Sequence, residues 1–146
     1  MFTKSIAGFE VFRSSADYKR MRNPAMLYPV DMGLCKRITS ADAGRLLENL
    51  VFLELRRMGF EVFYFEEKRE CDFITRSDDN KLLPFQISLE LNEENSEREI
   101  KGLIEACKWL GVNEGIILTY DDEKKFDQDG IDIKVLPVWR WLLIAQ

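Results

Sequence analysis

Histidine is missing altogether from the 146 residues. Its absence excludes Ser-His-Asp and Cys-His catalysis, histidine-ligated zinc and a histidine general base. Cysteine is scarce. Cys35, Cys71 and Cys107 are an odd number with no C-x-x-C pair, which supports neither a disulfide framework nor a zinc ribbon. Buried thiols in a reducing compartment are the expectation. No apolar run approaches the ~20 residues that span a bilayer. The opening MFTKSIAGFEVF has no apolar signal-peptide core. A cytoplasmic protein without a membrane partner is therefore expected. The eight glycines include no G-x-x-x-x-G-K-[ST], so ATP is not bound through a P-loop in this chain.

What is present is ordinary for a globular domain: 46% hydrophobic and 32% charged residues. The length suits one domain of the commonest size. The net charge is −5, but it is unevenly placed. Residues 1–37 carry a net +4 through Lys4, Arg13, Lys19, Arg20, Arg22, Lys36 and Arg37, and the remainder carries −9. An acidic body repels phosphate backbones. The basic N-terminal part is where DNA, RNA or an acidic protein face would dock, although a solvated surface accounts for it as well.

The hydrophobic pattern alternates helix and strand. Ala25–Val30 reads as a short strand limited by Pro29. Thr39-x-x-Asp42 resembles a capping box. It opens a helix whose stripe is Leu46, Leu47, Leu50, Val51, Leu55 and Met58, stopped at Gly59. Glu61–Phe65 and Cys71–Arg76 read as strands, the first internal to a sheet, with a turn at Ser77–Asn80. Leu82–Leu91 alternates with period two. Phe85, Ile87, Leu89 and Leu91 are expected on one face and Gln86, Ser88 and Glu90 on the other. Ser96-x-x-Glu99 reads as a second capping box, opening a helix through Leu110 that ends at Gly111. Gly115–Tyr120 is a buried strand, the acidic stretch Asp121–Asp132 a loop or short helix, and Ile131–Val135 a last strand. Pro137 sits as a first-turn proline before VWRWLLI. The order is helix, three strands, helix, strand, strand, short helix. It predicts an antiparallel meander followed by a parallel crossover, in an α/β, α+β-like mixed sheet flanked by helices.

This order, with an acid in the first helix and polar residues on the second and third strands, resembles the PD-(D/E)xK nuclease superfamily and its restriction-endonuclease-like core. Members place an Asp on the second strand and (D/E)-x-K on the third, and many add a Glu from the first helix. Residues i and i+2 of a strand share a face, so the acid and the lysine both point at one divalent cation, which activates water. The resemblance puts Glu48 at the helix position, Asp72 of Glu70-Cys-Asp72-Phe on the second strand, and Gln86-Ile87-Ser88 where (D/E)-x-K belongs. Gln86 is a neutral ligand in place of an anion, and Ser88 replaces the lysine. The implied catalytic positions, Glu48, Asp72, Gln86 and Ser88, are thus vestigial. Asp72 and Gln86 are the ligands if a metal binds. Glu90, or a lysine such as Lys68 or Lys81, is the rescue such a site would need.

A narrower resemblance runs along nearly the whole chain. Asn23-Pro24-Ala-Met-Leu-Tyr28-Pro-Val-Asp31-Met-Gly33-Leu34, Gly44-Arg-Leu-Leu-Glu48-Asn49-Leu-Val51-Phe-Leu-Glu54-Leu55, Glu70-Cys-Asp72-Phe73, Phe85-Gln86-Ile87-Ser88 and Val135-Leu-Pro137-Val-Trp139-Arg-Trp141-Leu142-Leu143 occur in order. Together they resemble a prokaryotic domain of unknown function found C-terminal to AAA-type ATPase modules. The resemblance implies a catalytically degenerate nuclease-like domain at residues 39–146, preceded by a basic arm with short strands at 1–38. It implies an AAA-type ATPase partner, in cis or in trans, and an interaction with protein or with DNA through the arm. No cofactor is expected, with Mg²⁺ at low affinity. The chain is then either part of a longer ATPase or a stand-alone relative, and its abrupt opening at Phe2 suits a fragment. The competing expectation is a Mg²⁺-dependent DNA endonuclease with an altered D…QxS site. Away from these motifs, Glu54 is expected to pair with Arg57, Glu93-Glu94 and Asp121–Glu123 to be solvated, and Trp139 and Trp141 to seal a core edge or a partner surface.

Overall fold

A computed structural model describes the backbone of three short strands, β1 (Phe2–Lys4), β2 (Glu10–Phe12) and β3 (Met21–Arg22), and residues 43–145 with their side chains. The expected strand at 25–30, the capping box at Thr39 and Cys35 lie outside the described residues. Helix α1 (Ala43–Arg57) is followed by β4 (Glu61–Glu66), β5 (Glu70–Arg76), β6 (Leu82–Ile87), helix α2 (Ser96–Leu110), β7 (Glu114–Thr119), β8 (Lys124–Gln128), β9 (Ile131–Pro137) and helix α3 (Val138–Ile144). Seven strands form one sheet in the order β3-β4-β5-β6-β7-β9-β8, and β1 and β2 pair separately. The pairs from β3 through β6 are antiparallel, β6-β7 and β7-β9 are parallel, and β8 closes antiparallel on β9. The meander and the parallel crossover through α2 are thus as expected, with β4 internal.

Alternation along the strands sends apolar side chains to both sides, so the sheet is covered on both faces. On one side α2 packs Leu103, Ile104, Ala106 and Cys107 against Phe65, Ile117, Ile133 and Val135. On the other, α1 and α3 pack Leu47, Val51, Leu55 and Trp141 against Val62, Phe73, Phe85 and Leu118. Trp141 meets the Phe85 ring edge-on at 6.1 Å. Gly59 and Gly111 end α1 and α2 at φ 88° and 69°, conformations that other residues reach only at a cost.

Four expectations are corrected. The acidic stretch after Tyr120 contains strand β8, because Lys124–Gln128 takes up the free edge of β9. The third strand stops at Ile87, not Leu91, so Ser88, Glu90 and Leu91 belong to a loop. Asn95 Nδ2 holds that loop through the Glu90 carbonyl, and the Ser88 hydroxyl donates to the same carbonyl. The second capping box does not form: Asn95 is the N-cap of α2 without a side-chain bond, and the Glu99 carboxylate turns inward. Pro137 ends β9 and is itself the N-cap of α3, so the helix starts one residue later, at Val138.

Helix α2 also grips the β4–β5 turn. Glu105 Oε1 accepts the backbone N–H groups of Lys68 at 2.8 Å and Arg69 at 3.2 Å. Gly102, one turn earlier on α2, lies so close to that turn that a Cβ would strike the Glu70 carbonyl. Gly102→Ala should therefore push α2 off the turn and cost about 1–3 kcal/mol, despite the better helix propensity of alanine. Urea unfolding checks this; an equal or higher midpoint would refute the close approach.

Candidate functional site

The site begins with a defect in the sheet. Phe63 pairs with Ile74 and Phe65 with Cys71, so Tyr64 alone faces two residues of β5, Asp72 and Phe73. This is a β-bulge, a device that re-aims side chains. One consequence is visible in the core: Cys71 and Ile74, three residues apart, both reach the α2 side. An unbroken strand would place them on opposite faces.

Pairing of β5 with β6 ends at Phe73 and Phe85. Beyond it, side chains join the strands. The Cys71 thiol donates to the Phe85 carbonyl at 3.3 Å, and Gln86 Oε1 accepts the Asp72 N–H at 3.4 Å. Asp72 Oδ2 accepts the Ile87 N–H at 2.7 Å. The backbone groups that lose their ladder partners are thereby satisfied. The Gln86 amide continues to α2, donating through Nε2 to Glu99 Oε2 at 2.5 Å. Glu99 Oε1 takes the Arg98 guanidinium through Nη2 at 2.6 Å and Nε at 3.1 Å. An unbroken chain thus runs Ile87, Asp72, Gln86, Glu99, Arg98. Gln86 and Glu99 are buried, Asp72 is half-buried, and Arg98 lies in solvent.

The electrostatics follow from that placement. Burial pushes the Asp72 carboxyl up to about 8, and the nearby charges of Glu48, Glu99 and Glu70 push the same way. The Ile87 N–H works against them. Burial likewise raises the Cys71 thiol well above its usual range, leaving an unreactive thiol. Tyr64, opposite the bulge, is raised first by burial and then by the hydrogen bond its hydroxyl gives Glu70. Glu99 holds the Arg98 guanidinium more firmly charged.

A family model described as Domain of unknown function (DUF4143) matches residues 43–141, which span α1 to Trp141 of α3. The chain belongs to the DUF4143 family. An uncharacterized protein of Methanocaldococcus jannaschii, MJ1544, is 44% identical over 117 residues, covering 71% of this chain and 26% of its own. Among solved structures, a chain in the refined half-complex from the tetradecameric assembly of Thermococcus gammatolerans McrB AAA+ hexamers with bound McrC superposes with a TM-score of 0.50. The identity there is 14%, over 66% of this chain and 28% of that one, so the likeness is one of fold. This DUF4143 chain spans about a quarter of the length of each. None of the helices among the described residues is long and apolar enough to cross a membrane.

The sequence-derived site residues of the DUF4143 domain separate into two groups. Asp72 and Gln86 are brought together by the bulge, and Glu48 approaches Asp72 from α1, on the opposite side of the sheet from α2. Ser88 lies just beyond the end of β6, its backbone N–H bonded to the Leu118 carbonyl and its hydroxyl to the Glu90 carbonyl rather than to the cluster. Glu90 is exposed and bonded to Asn92. Lys68 and Lys81 sit exposed at turns, and Lys81 marks the far end of β6 from Gln86. Arg98, which the sequence reading did not select, touches the cluster through Glu99. Nor did that reading give Glu99 a place in the cluster. Its signal was there: Glu99 falls on the buried stripe of α2, one turn before Leu103 and two before Ala106.

The cluster engages most of its polar atoms internally. Hard cations need several free oxygen ligands. Here both polar atoms of the Gln86 amide are engaged, Glu99 is shared between Gln86 and Arg98, and one Asp72 oxygen holds Ile87. Among the described residues, no group of three or more His, Cys, Asp or Glu is arranged to hold a metal ion.

Two outcomes follow. The Asp72 carboxyl titrates higher in the fold than in the unfolded chain, so folding takes up a proton there. Its contribution to stability is complete below about 3.8 and is lost as the pH rises through about 8. Asp72→Asn keeps an oxygen for Ile87 and cannot ionise. It should unfold later than the parent at pH 9 by on the order of 1–3 kcal/mol, with the gap closing toward pH 4. Parallel stability curves would refute the buried carboxyl. Gln86→Glu would set two carboxylates face to face at Glu99; a loss of about 1–3 kcal/mol in urea at pH 8 is expected, partly regained at pH 5.

Proposed function

We propose that this DUF4143 domain has the PD-(D/E)xK nuclease fold, does not cleave nucleic acid, and works as a docking module for an AAA-type ATPase, in cis or in trans. The order helix, three-stranded meander, crossover helix and parallel strand supports the first part, as do the bond between Asp72 and Gln86 and the nearness of Glu48 to Asp72. One observation carries the second. The Gln86 amide is bonded to the Asp72 backbone N–H and to Glu99, Glu99 is bonded to Arg98, and one Asp72 oxygen holds the Ile87 N–H, which leaves few free oxygens for a cation. In this reading Gln86 stands at the ligand position as a structural bridge. Arg98 offsets the charge of Glu99 from the solvent side. Ser88 leaves the (D/E)-x-K position without a lysine to stabilise a hydroxide or a phosphate in transfer.

Support for the ATPase partner comes from the solved relative in fold, which belongs to an assembly of McrB AAA+ hexamers with bound McrC. The acidic composition beyond residue 37 disfavours a nucleic-acid surface on the body of the domain, so any contact with DNA falls to the basic arm at residues 1–38.

Calorimetric titration with Mg²⁺ and with Mn²⁺, paired with cleavage assays on branched and single-stranded DNA, tests the reading. No saturable binding at millimolar metal and no cleavage are expected. Saturable binding that disappears in Asp72→Ala, together with cleavage, would replace it with a Mg²⁺-dependent endonuclease.

A further inference from the structure

Six large apolar side chains are exposed among the described residues: Met58, Leu89, Tyr120, Trp139, Leu143 and Ile144. All but Met58 lie at one end of the sheet, beyond the carboxyl ends of β6, β7 and β9. Bonds link Leu89 to Tyr120 and Trp139 to the loop that carries Tyr120. The Tyr120 N–H donates to the Leu89 carbonyl at 2.9 Å, and the Trp139 indole N–H donates to Asp121 at 3.4 Å. Trp139 and Leu143 are one turn apart on α3 and are 53% and 68% exposed. The neighbouring Trp141 is buried, so α3 anchors with one tryptophan and displays the other. An exposed Trp, Tyr and Leu in one strip is the composition of an interface centre rather than of a solvated surface.

The strip has a charge signature. The loops that frame it, residues 88–95 and 119–123, hold six acids and no Lys or Arg. The cation on α3, Arg140, is paired with Glu123. Such a rim repels phosphate backbones and anionic membrane surfaces, and it favours a cationic protein segment.

We propose that Leu89, Tyr120, Trp139 and Leu143 form a protein-docking face whose occupant is a cationic amphipathic helix of the partner, with leucine or aromatic anchors flanked by Lys and Arg. The inference rests on the reading of the domain as a docking module and assigns that role a surface separate from the Asp72 cluster. The Trp139 ring and Leu143 supply the apolar contact, and Glu90 and Asp121 on the rim set orientation and encounter rate.

A fluorescently labelled synthetic Leu/Lys amphipathic peptide is the probe, read by anisotropy, with a Leu/Glu peptide of the same pattern as control. The Leu/Lys peptide should bind with an affinity that falls as salt rises, and the Leu/Glu peptide should not bind. Trp139→Ala combined with Leu143→Ala should weaken binding about tenfold or more. Both side chains are largely exposed, so unchanged thermal unfolding shows that the fold is kept. Glu90→Gln with Asp121→Asn should flatten the salt dependence while leaving the apolar contact. Equal affinity of the Trp139/Leu143 variant for the peptide would overturn the proposal. So would concentration-dependent dimerisation that the same variant abolishes, since the occupant is then a second copy. Preferential binding to phosphatidylserine vesicles would overturn it too. The readout needs no metal. Metal-dependent cleavage with intact peptide binding refutes the non-cleaving reading alone, whereas loss of the peptide effect without metal binding refutes the docking face alone.

Discussion

The hydrogen bond from the Ile87 N–H to the Asp72 carboxyl is the contact on which the centre of this molecule depends. Strands β5 and β6 part after Phe73 and Phe85, and an opening in the middle of a sheet exposes unpaired backbone groups. Asp72 closes it with its own side chain, Gln86 closes it from the other strand, and the Cys71 thiol takes the Phe85 carbonyl. Three polar side chains thus do what ladder bonds do elsewhere in the sheet. A carboxyl held this way is desolvated, which is why its proton is retained to about 8.

The remaining polar architecture follows from the same opening. Gln86 reaches across it and must place its amide N–H somewhere, and Glu99 of α2 receives it. A buried carboxylate needs compensation, and Arg98, its neighbour on the helix, supplies that from the solvent side. The position of α2 is set independently by Glu105 and Gly102 against the β4–β5 turn. The bulge, the turn and the helix therefore fix one another. The polar groups of the opening are satisfied by hydrogen bonds within the fold. The outward-facing apolar chemistry lies elsewhere, on α3 and the loop after β7.

Much of this was legible in the residues. The stripe Leu47, Val51 and Leu55 announces α1, Gly59 and Gly111 announce its end and that of α2, and the β-branched and aromatic run Glu61–Phe65 announces an internal strand. The motif residues Glu48, Asp72 and Gln86 could be placed on their elements before any coordinates. The end of the strand that carries Gln86 could not, because period-two alternation continues on paper past Ile87, while Ser88–Leu91 form a loop held by Asn95. Glu99 was read as a cap because Ser96-x-x-Glu99 satisfies the local pattern; its pull toward Gln86 comes from a strand ten and more residues away. β8 was missed because Lys124–Gln128 has no apolar alternation of its own and is a strand through its pairing with β9.

The sequence by itself determined the order of elements apart from β8, the mixed sheet flanked by helices, and the exclusion of every histidine chemistry. These depend on composition and on periodicities within a dozen residues. Only the tertiary structure decided that Gln86 bonds to Glu99, that Arg98 touches the cluster through Glu99, and that Trp139 faces out while Trp141 faces in. Those outcomes depend on distances between elements far apart in the chain. A bulge of one residue at Asp72 redirects side chains without leaving a mark on the hydrophobic pattern.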